Sequence, residues 1–248
     1  MHDTPEMLPD DDPRWPEAEE LYGYVRRVLA RVSPPPCALL DLGAAPGAQS
    51  VALARAGYRV TAVDLGEASD EWGNQPAGTM AAAFERTGVD LVVWDLAKVP
   101  YPFAGETFDV VLLTEVLEHL RDYPLRALEE ARRILKPGGY LLLTTPNAAS
   151  LQNRARLMLG RTVHTNIRDW MFGLPHARHA REYTANELRE IVRQAGFQLV
   201  SVEGRHFQKG SGRTSRMAIL GKTAIDRLAR VRPSFGSGLA VLACRPPI

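Results

Sequence analysis

The stretch DLGAAPG, Asp41 to Gly47, decides how this chain folds. It ends the apolar run CALLDLG (37–43), which is short enough for a buried strand, and it precedes SVALARAG (50–57), a helical pattern closed by Gly57. Gly43 and Gly47 let the backbone turn sharply between the two and approach a ligand, and the helix that follows aims its N-terminus at that ligand. YRVTAVDLG (58–66) then reads as a second strand. Strand, glycine turn, helix and strand make one unit of a parallel sheet.

The same alternation continues outward. A helix near 78–87 leads to the strand VDLVVWDL (89–96), and FDVVLLTE (108–115) is a fourth strand. A helix across 123–136 places Leu125, Leu128, Ala131 and Leu135 on one stripe, with KPGG as its stop. YLLLTTPN (140–147) is a fifth strand, and FQLVSVEG and SGLAVLACR close the pattern. Between them Thr184 and Glu187 form a capping box for a helix from Ala185 to about Ala195, ended by Gly196. Residues 148–181 break the alternation and are rich in Arg and His, as an insertion over the substrate side would be.

Composition bounds the rest. The 248 residues are 45% apolar and 24% charged with a net charge of +1, an ordinary globular balance that advertises neither nucleic acid nor membrane. Residues 1–35 read as an acidic tail and a helix, whose Trp15, Tyr22 and Tyr24 either fold over the site or dock the helix. Residues 36–248 read as one α/β domain with a basic segment at 205–232. MHDTPEMLPDDD has no signal-peptide pattern, and Cys37 and Cys244 sit beside core strands as small buried hydrophobes, so the expected compartment is the cytoplasm.

A dinucleotide enzyme would want G-x-G-x-x-G, but Ala45 occupies the second glycine position. Asp41 precedes the turn, where it can meet a cationic amino group, and Asp64 ends the second strand, where it can accept both ribose hydroxyls. Ala45 at that position and Asp41 before the turn favour S-adenosylmethionine over a nicotinamide cofactor.

From Leu39 to Gly204 the chain resembles the class I S-adenosylmethionine-dependent methyltransferases, carrying in family order LLDLGAAPG, VTAVDLG, VVWDL, FDVVLLTEVLEHL, ILKPGGYLLLTTPN and HAREYTANEL. The resemblance implies a Rossmann-like, doubly wound, seven-stranded sheet, mostly parallel with an antiparallel last strand. It implies a cofactor site of Asp41, Gly43, Ala45, Gly47, Asp64, Leu65, Asp95, Leu96 and Glu115. Asp95 and the Leu96 backbone would meet the adenine, and Glu115 would sit near the sulfonium.

TEVLEHLRD (114–122) adds a second layer, because Glu115, Glu118 and His119 share one face if the stretch is helical. It resembles the Glu-x-x-Glu-His group of ubiquinone-pathway O-methyltransferases and small-RNA 2′-O-methyltransferases, which binds a divalent metal. His179, before Tyr183–Thr184, falls where the RNA enzymes place a further histidine. The implied metal set is Glu115, Glu118, His119 and His179, holding Mg²⁺ or Mn²⁺. Without a metal, His119 is a packed or general-base histidine and Glu115 contacts the cofactor or the backbone; these two are the catalytic candidates. His176, Arg181, Tyr183 and Trp170 are the candidate substrate residues. The expected reaction is O-methylation of a small molecule, with a saccharide or glycosylated product as first choice. RNA 2′-O-methylation, N- or C-methylation and a non-catalytic binding protein are the alternatives.

Overall fold

The computed structural model describes residues 15–65, 77–121, 124–164, 167–172, 178–207, 228–229 and 232–247. Helix α1 (Trp15–Val32) precedes strand β1 (Ala38–Leu42), helix α2 (Ala48–Arg55), β2 (Arg59–Asp64), α3 (Ala77–Thr87), β3 (Asp90–Val93) and β4 (Phe108–Thr114). Then follow α4 (Pro124–Ile134), β5 (Leu135–Pro146), α5 (Leu151–Met158), α6 (Ile167–Phe172), α7 (Ala185–Gln194), β6 (Gln198–Arg205) and β7 (Gly238–Cys244).

The seven strands form one sheet in the order β3-β2-β1-β4-β5-β7-β6. β1 to β5 pair in parallel, and β7 runs antiparallel between β5 and β6. The expected doubly wound sheet with its antiparallel last strand is therefore the fold. Alternate residues on each strand feed two cores. Leu40, Leu42, Val111, Leu113, Leu141 and Leu143 pack under α4 and α7, while Leu39, Val110, Leu112 and Leu142 pack with Leu21, Val25 and Leu29 of α1 and Phe84 of α3. Burial on both faces explains why these strands read as unbroken apolar runs.

The chain steps from β1 to β2 and β3 on one side, then crosses to β4 on the other. Ligands of such sheets bind where the order reverses, beyond the carboxyl ends of β1 and β4. DLGAAPG and TEVLEHLRD lie at those two ends.

Two local expectations need correction. KPGG does not stop the fourth helix. α4 ends at Ile134, and Leu135 is already strand, paired with Phe108. Lys136 to Gly139 form an irregularity within β5, held by Lys136 Nζ on Asp109 Oδ1 at 2.7 Å and by paired backbone bonds between Gly138, Gly139 and Arg245. The Thr184–Glu187 capping box, by contrast, is present in both directions. Most of the basic segment 205–232 lies outside the described residues. The cysteines carry no disulfide, and burial pushes both thiols up from their ordinary pKa.

Candidate active site

A cavity of about 710 Å³ opens at the reversal point of the sheet. The glycine turn forms its floor. Gly43 has φ +75°, and a Cβ there would run into Val116. Gly47 has φ +94° and caps α2, but it does not line the cavity, because its α-carbon faces Met80 and Phe84. Its contribution is packing of the turn, not contact with a ligand.

Asp64 lines the cavity at the end of β2, where Oδ2 accepts from Ala45 N and Oδ1 from Leu65 N, both at 2.8 Å. These bonds orient the carboxylate and tie the glycine turn to β2. Leu65, Trp94, Asp95 and Leu96 continue the wall, with Asp95 Oδ1 accepting from Ala97 N at 2.9 Å. Leu21 and Tyr22 of α1 close the opposite side, whereas Tyr24 is buried in the core against Phe207.

Asp41 is almost wholly buried and accepts from Ser50 Oγ at 2.6 Å and Gln49 Nε2 at 3.4 Å. Burial raises its pKa from 3.8 to about 6. Ser50 and Gln49 pull it back, and the charge of Asp64 adds to the rise. A carboxyl whose folded pKa exceeds its unfolded value binds the extra proton in the folded state, so stability falls as pH rises from about 4 to about 6 and is level above. The shift corresponds to about 3 kcal/mol at neutral pH. Asp41→Asn is therefore expected to raise the melting temperature of the ligand-free protein at pH 7.5 and to leave it nearly unchanged at pH 4. A difference independent of pH would place the effect elsewhere.

Gln49 is a residue that sequence reading overlooked. Its Nε2 bridges Asp41 and Thr114 Oγ1, and its buried Oε1 has no hydrogen-bond partner in the protein. A buried acceptor of this kind costs about 1–3 kcal/mol unless a donor reaches it. It lines the cavity beside Asp41. A primary ammonium suits that pair of acceptors.

TEVLEHLRD is not a regular helix. Glu115 takes a left-handed conformation at φ +55°, and Leu117–His119 form a single 3-10 turn. The strained residue turns the chain off β4 and, with Glu115 N bonded to Thr144 O, keeps it beside β5. Glu115 Oε1 accepts from Thr144 Oγ1 at 2.8 Å, and Glu118 Oε2 from Thr145 Oγ1 at 2.9 Å. Burial raises both pKa values, and for Glu118 the charge of Glu115 raises it further.

Glu118, His119 and His179 each bring a ligand atom within 4.8 Å of the others. Glu115 lines the same cavity but stands outside this group, because it belongs to the preceding left-handed turn and is claimed by Thr144. His119 Nδ1 lies 3.3 Å from the Arg178 carbonyl, and His179 Nδ1 lies 3.0 Å from Glu182 Oε1. Partners of that kind fix ring orientation and tautomer at metal-ligating histidines. The sequence signal for Glu182 is its spacing alone, three residues after His179.

The candidate substrate residues do not gather here. Tyr183 is buried in the core and Arg181 stacks on it while pairing with Glu187. Trp170 lies exposed on α6 with the Arg178 guanidinium 5.5 Å from its ring centroid. None of the three lines the cavity, and His176 lies outside the described residues.

Residues 18–202 match the family model described as a methyltransferase domain. The chain belongs to that family. The methyltransferase domain is 34% identical over 168 residues to the ubiquinone biosynthesis O-methyltransferase of Ruegeria pomeroyi, covering 67% of this chain and 62% of that protein. It is 33% identical over 172 residues to the protein of that name from Cereibacter sphaeroides, covering 68% and 63%. The chain thus spans less than two thirds of the length of these curated relatives. Among solved structures, an S-adenosylmethionine dependent methyltransferase from Mesorhizobium loti superposes with a TM-score of 0.61 at 19% identity, covering 95% and 99% of the two chains. A Burkholderia thailandensis N1-methyltransferase with bound S-adenosylhomocysteine gives 0.59 at 19% identity, covering 97% and 84%. At those identities the structural likeness speaks for the fold.

Proposed function

We propose that this methyltransferase domain transfers the methyl group of S-adenosylmethionine to one hydroxyl of a vicinal pair, on a catechol or a saccharide, with a divalent cation assisting. The observation that carries this reading is the pair of imidazoles beside buried Glu118, each with an oxygen partner at Nδ1.

The cofactor supplies an electrophilic methyl group on a sulfonium. Asp64 at the end of β2 is placed to hold the ribose hydroxyls, and Asp95 with Leu96 to meet the adenine. Asp41 and the Gln49 side-chain oxygen are suited to the amino-acid ammonium. That leaves Thr114, which ends β4, and Glu115, which follows it, for the sulfonium end. Glu118, His119 and His179 would hold the cation, and two imidazoles with a carboxylate suit Mn²⁺ at least as well as Mg²⁺. Held there, a cation would supply Lewis acidity that favours ionisation of a hydroxyl on the acceptor. The protein then acts by positioning: Glu182 and the Arg178 carbonyl hold the two rings, and Thr145 holds Glu118, so that donor and acceptor meet in line.

The test is methyl transfer to catechol and to a sugar cis-diol, each beside its mono-hydroxy counterpart, with Mn²⁺ or with chelator. The expected result is a rate on at least one diol roughly 100-fold above its counterpart, lost on chelation. Equal rates on the mono-hydroxy compound with chelator present would overturn the diol and metal reading.

A further inference from the structure

Two guanidinium groups meet on one phenylalanine after the end of β5. Arg154 of α5 lies 5.5 Å from the Phe235 ring centroid, and Arg232 lies 5.4 Å from it. An aromatic ring attracts a cation, but two cations on the same ring also repel each other. No acid relieves that repulsion. Among the described residues neither guanidinium is paired with a carboxylate, and residues 147–168 and 227–248, which supply both arginines and the ring, contain no Asp or Glu.

The pair is fixed by the fold. Arg154 donates from Nε to the Ala149 carbonyl at 2.8 Å, which leaves its terminal nitrogens for another acceptor. Phe235 ends a 3-10 turn, Pro233–Phe235, and its N donates to the Arg232 carbonyl at 3.0 Å. Asn147 fastens this turn to the sheet, donating from N to Ser237 O at 2.8 Å and from Nδ2 to Gly236 O at 2.7 Å. Asn153 Nδ2, bonded to the Asn147 and Ala148 carbonyls, roots α5 at the same place. Asn147 directly follows Pro146, which ends β5 and lines the cavity. Both arginines therefore stand on backbone tied to the cavity wall.

The cavity itself has the opposite polarity. Asp41, Asp64, Asp95, Glu115 and Glu118 line it, an environment that repels phosphate. An acceptor that carries a phosphate would place its hydroxyls inward and its phosphate outside, where the arginines stand. Each guanidinium presents a planar fork of N–H groups that matches phosphate oxygens, and stacking on a ring holds that fork in place. One fork would satisfy a carboxylate. Two suit a phosphomonoester, with its nearly double charge and three acceptor oxygens.

We propose that Arg154 and Arg232, stacked on Phe235, form a phosphate-binding site that anchors the methyl acceptor, a phosphorylated saccharide. The identity of the acceptor rests on the vicinal-diol reading above, whereas the phosphate site rests on its own residues.

Inorganic phosphate is the first probe, titrated calorimetrically into the full chain. It should bind the wild type saturably, and Arg154→Gln/Arg232→Gln should lose about tenfold or more of that affinity while keeping its melting temperature. Arg156→Gln removes the same charge from an exposed position on α5 that is not stacked on Phe235, and should bind phosphate within about twofold of wild type. Ribose 5-phosphate and ribose, which share a cis-diol, are the second pair of probes. The wild-type KM for methyl transfer should be at least about tenfold lower for the phosphate ester, and the double variant should erase that ratio, because an anchor binds ground state and transition state alike. No saturable phosphate binding, an equal loss in Arg156→Gln, no KM advantage in the wild type, or one that survives in the double variant overturns the proposal. Loss of phosphate binding in the double variant, with no methyl transfer to either sugar in the wild type, would remove the diol reading and leave the phosphate site standing.

Discussion

Replacing Asp64 by alanine is expected to weaken binding of S-adenosylhomocysteine by at least about 100-fold, measured by isothermal titration. The carboxylate is buried and held by the amides of Ala45 and Leu65, so it meets a ligand already oriented. A hydrogen bond to a charged group is worth about 1.5–3 kcal/mol, and two ribose hydroxyls would double that. Each 1.4 kcal/mol is a factor of about ten, which sets the scale. Asp64→Asn keeps an acceptor oxygen and loses the charge, so it should fall between wild type and alanine. Both variants also disturb the Ala45 amide, and a melting curve separates lost folding from lost affinity. If folded Asp64→Ala binds within threefold of wild type, the ribose does not sit on β2.

The second large effect concerns the cation. With S-adenosylhomocysteine present, the wild type should take up Mn²⁺ stoichiometrically, followed as loss of the free-ion signal in electron paramagnetic resonance. His179→Ala should abolish that uptake within the accessible concentration range. Glu182→Gln should weaken it by about 10- to 100-fold, since it removes only the group that orients His179. A packing role for His179 predicts no Mn²⁺ uptake in any of the three proteins. In that event His119 becomes the general base, and the acceptor need not be a diol.

Much of this architecture was legible because parallel strands buried on both faces announce themselves as apolar runs, and because α2 and α7 are closed by the left-handed glycines Gly57 and Gly196. Asp64 could be placed from DLGAAPG alone, since one strand–helix–strand unit fixes the distance between the ends of β1 and β2. The errors share another cause. Reading Leu135 as helix and KPGG as a stop ignored the pairing with Phe108, a tertiary contact that no local pattern encodes. A regular helix at TEVLEHLRD failed at Glu115, where the backbone is driven left-handed by its bond to β5. Tyr183 looked like a substrate residue beside His179, but its neighbour Asn147 draws it into a bridge beside β5 and leaves its ring in the core. Gln49 carried no motif at all. Only the burial of its unpartnered oxygen sets it apart from an ordinary helical glutamine.

The left-handed backbone at Glu115 has a consequence for anyone who would engineer this protein. A non-glycine residue held there costs about 1–3 kcal/mol, and buried Glu118 and Asp41 with half-buried Glu115 add carboxyl groups whose charge the interior resists. The most accessible stabilising substitutions are therefore expected to lie within the candidate pocket: Glu115→Gly, Asp41→Asn and Glu118→Gln. A mutant library sorted for heat resistance alone would be drawn toward these changes and yield hardy, inert proteins. Sorting on retained turnover as well would push the search outward, to surface positions where robustness and chemistry do not compete.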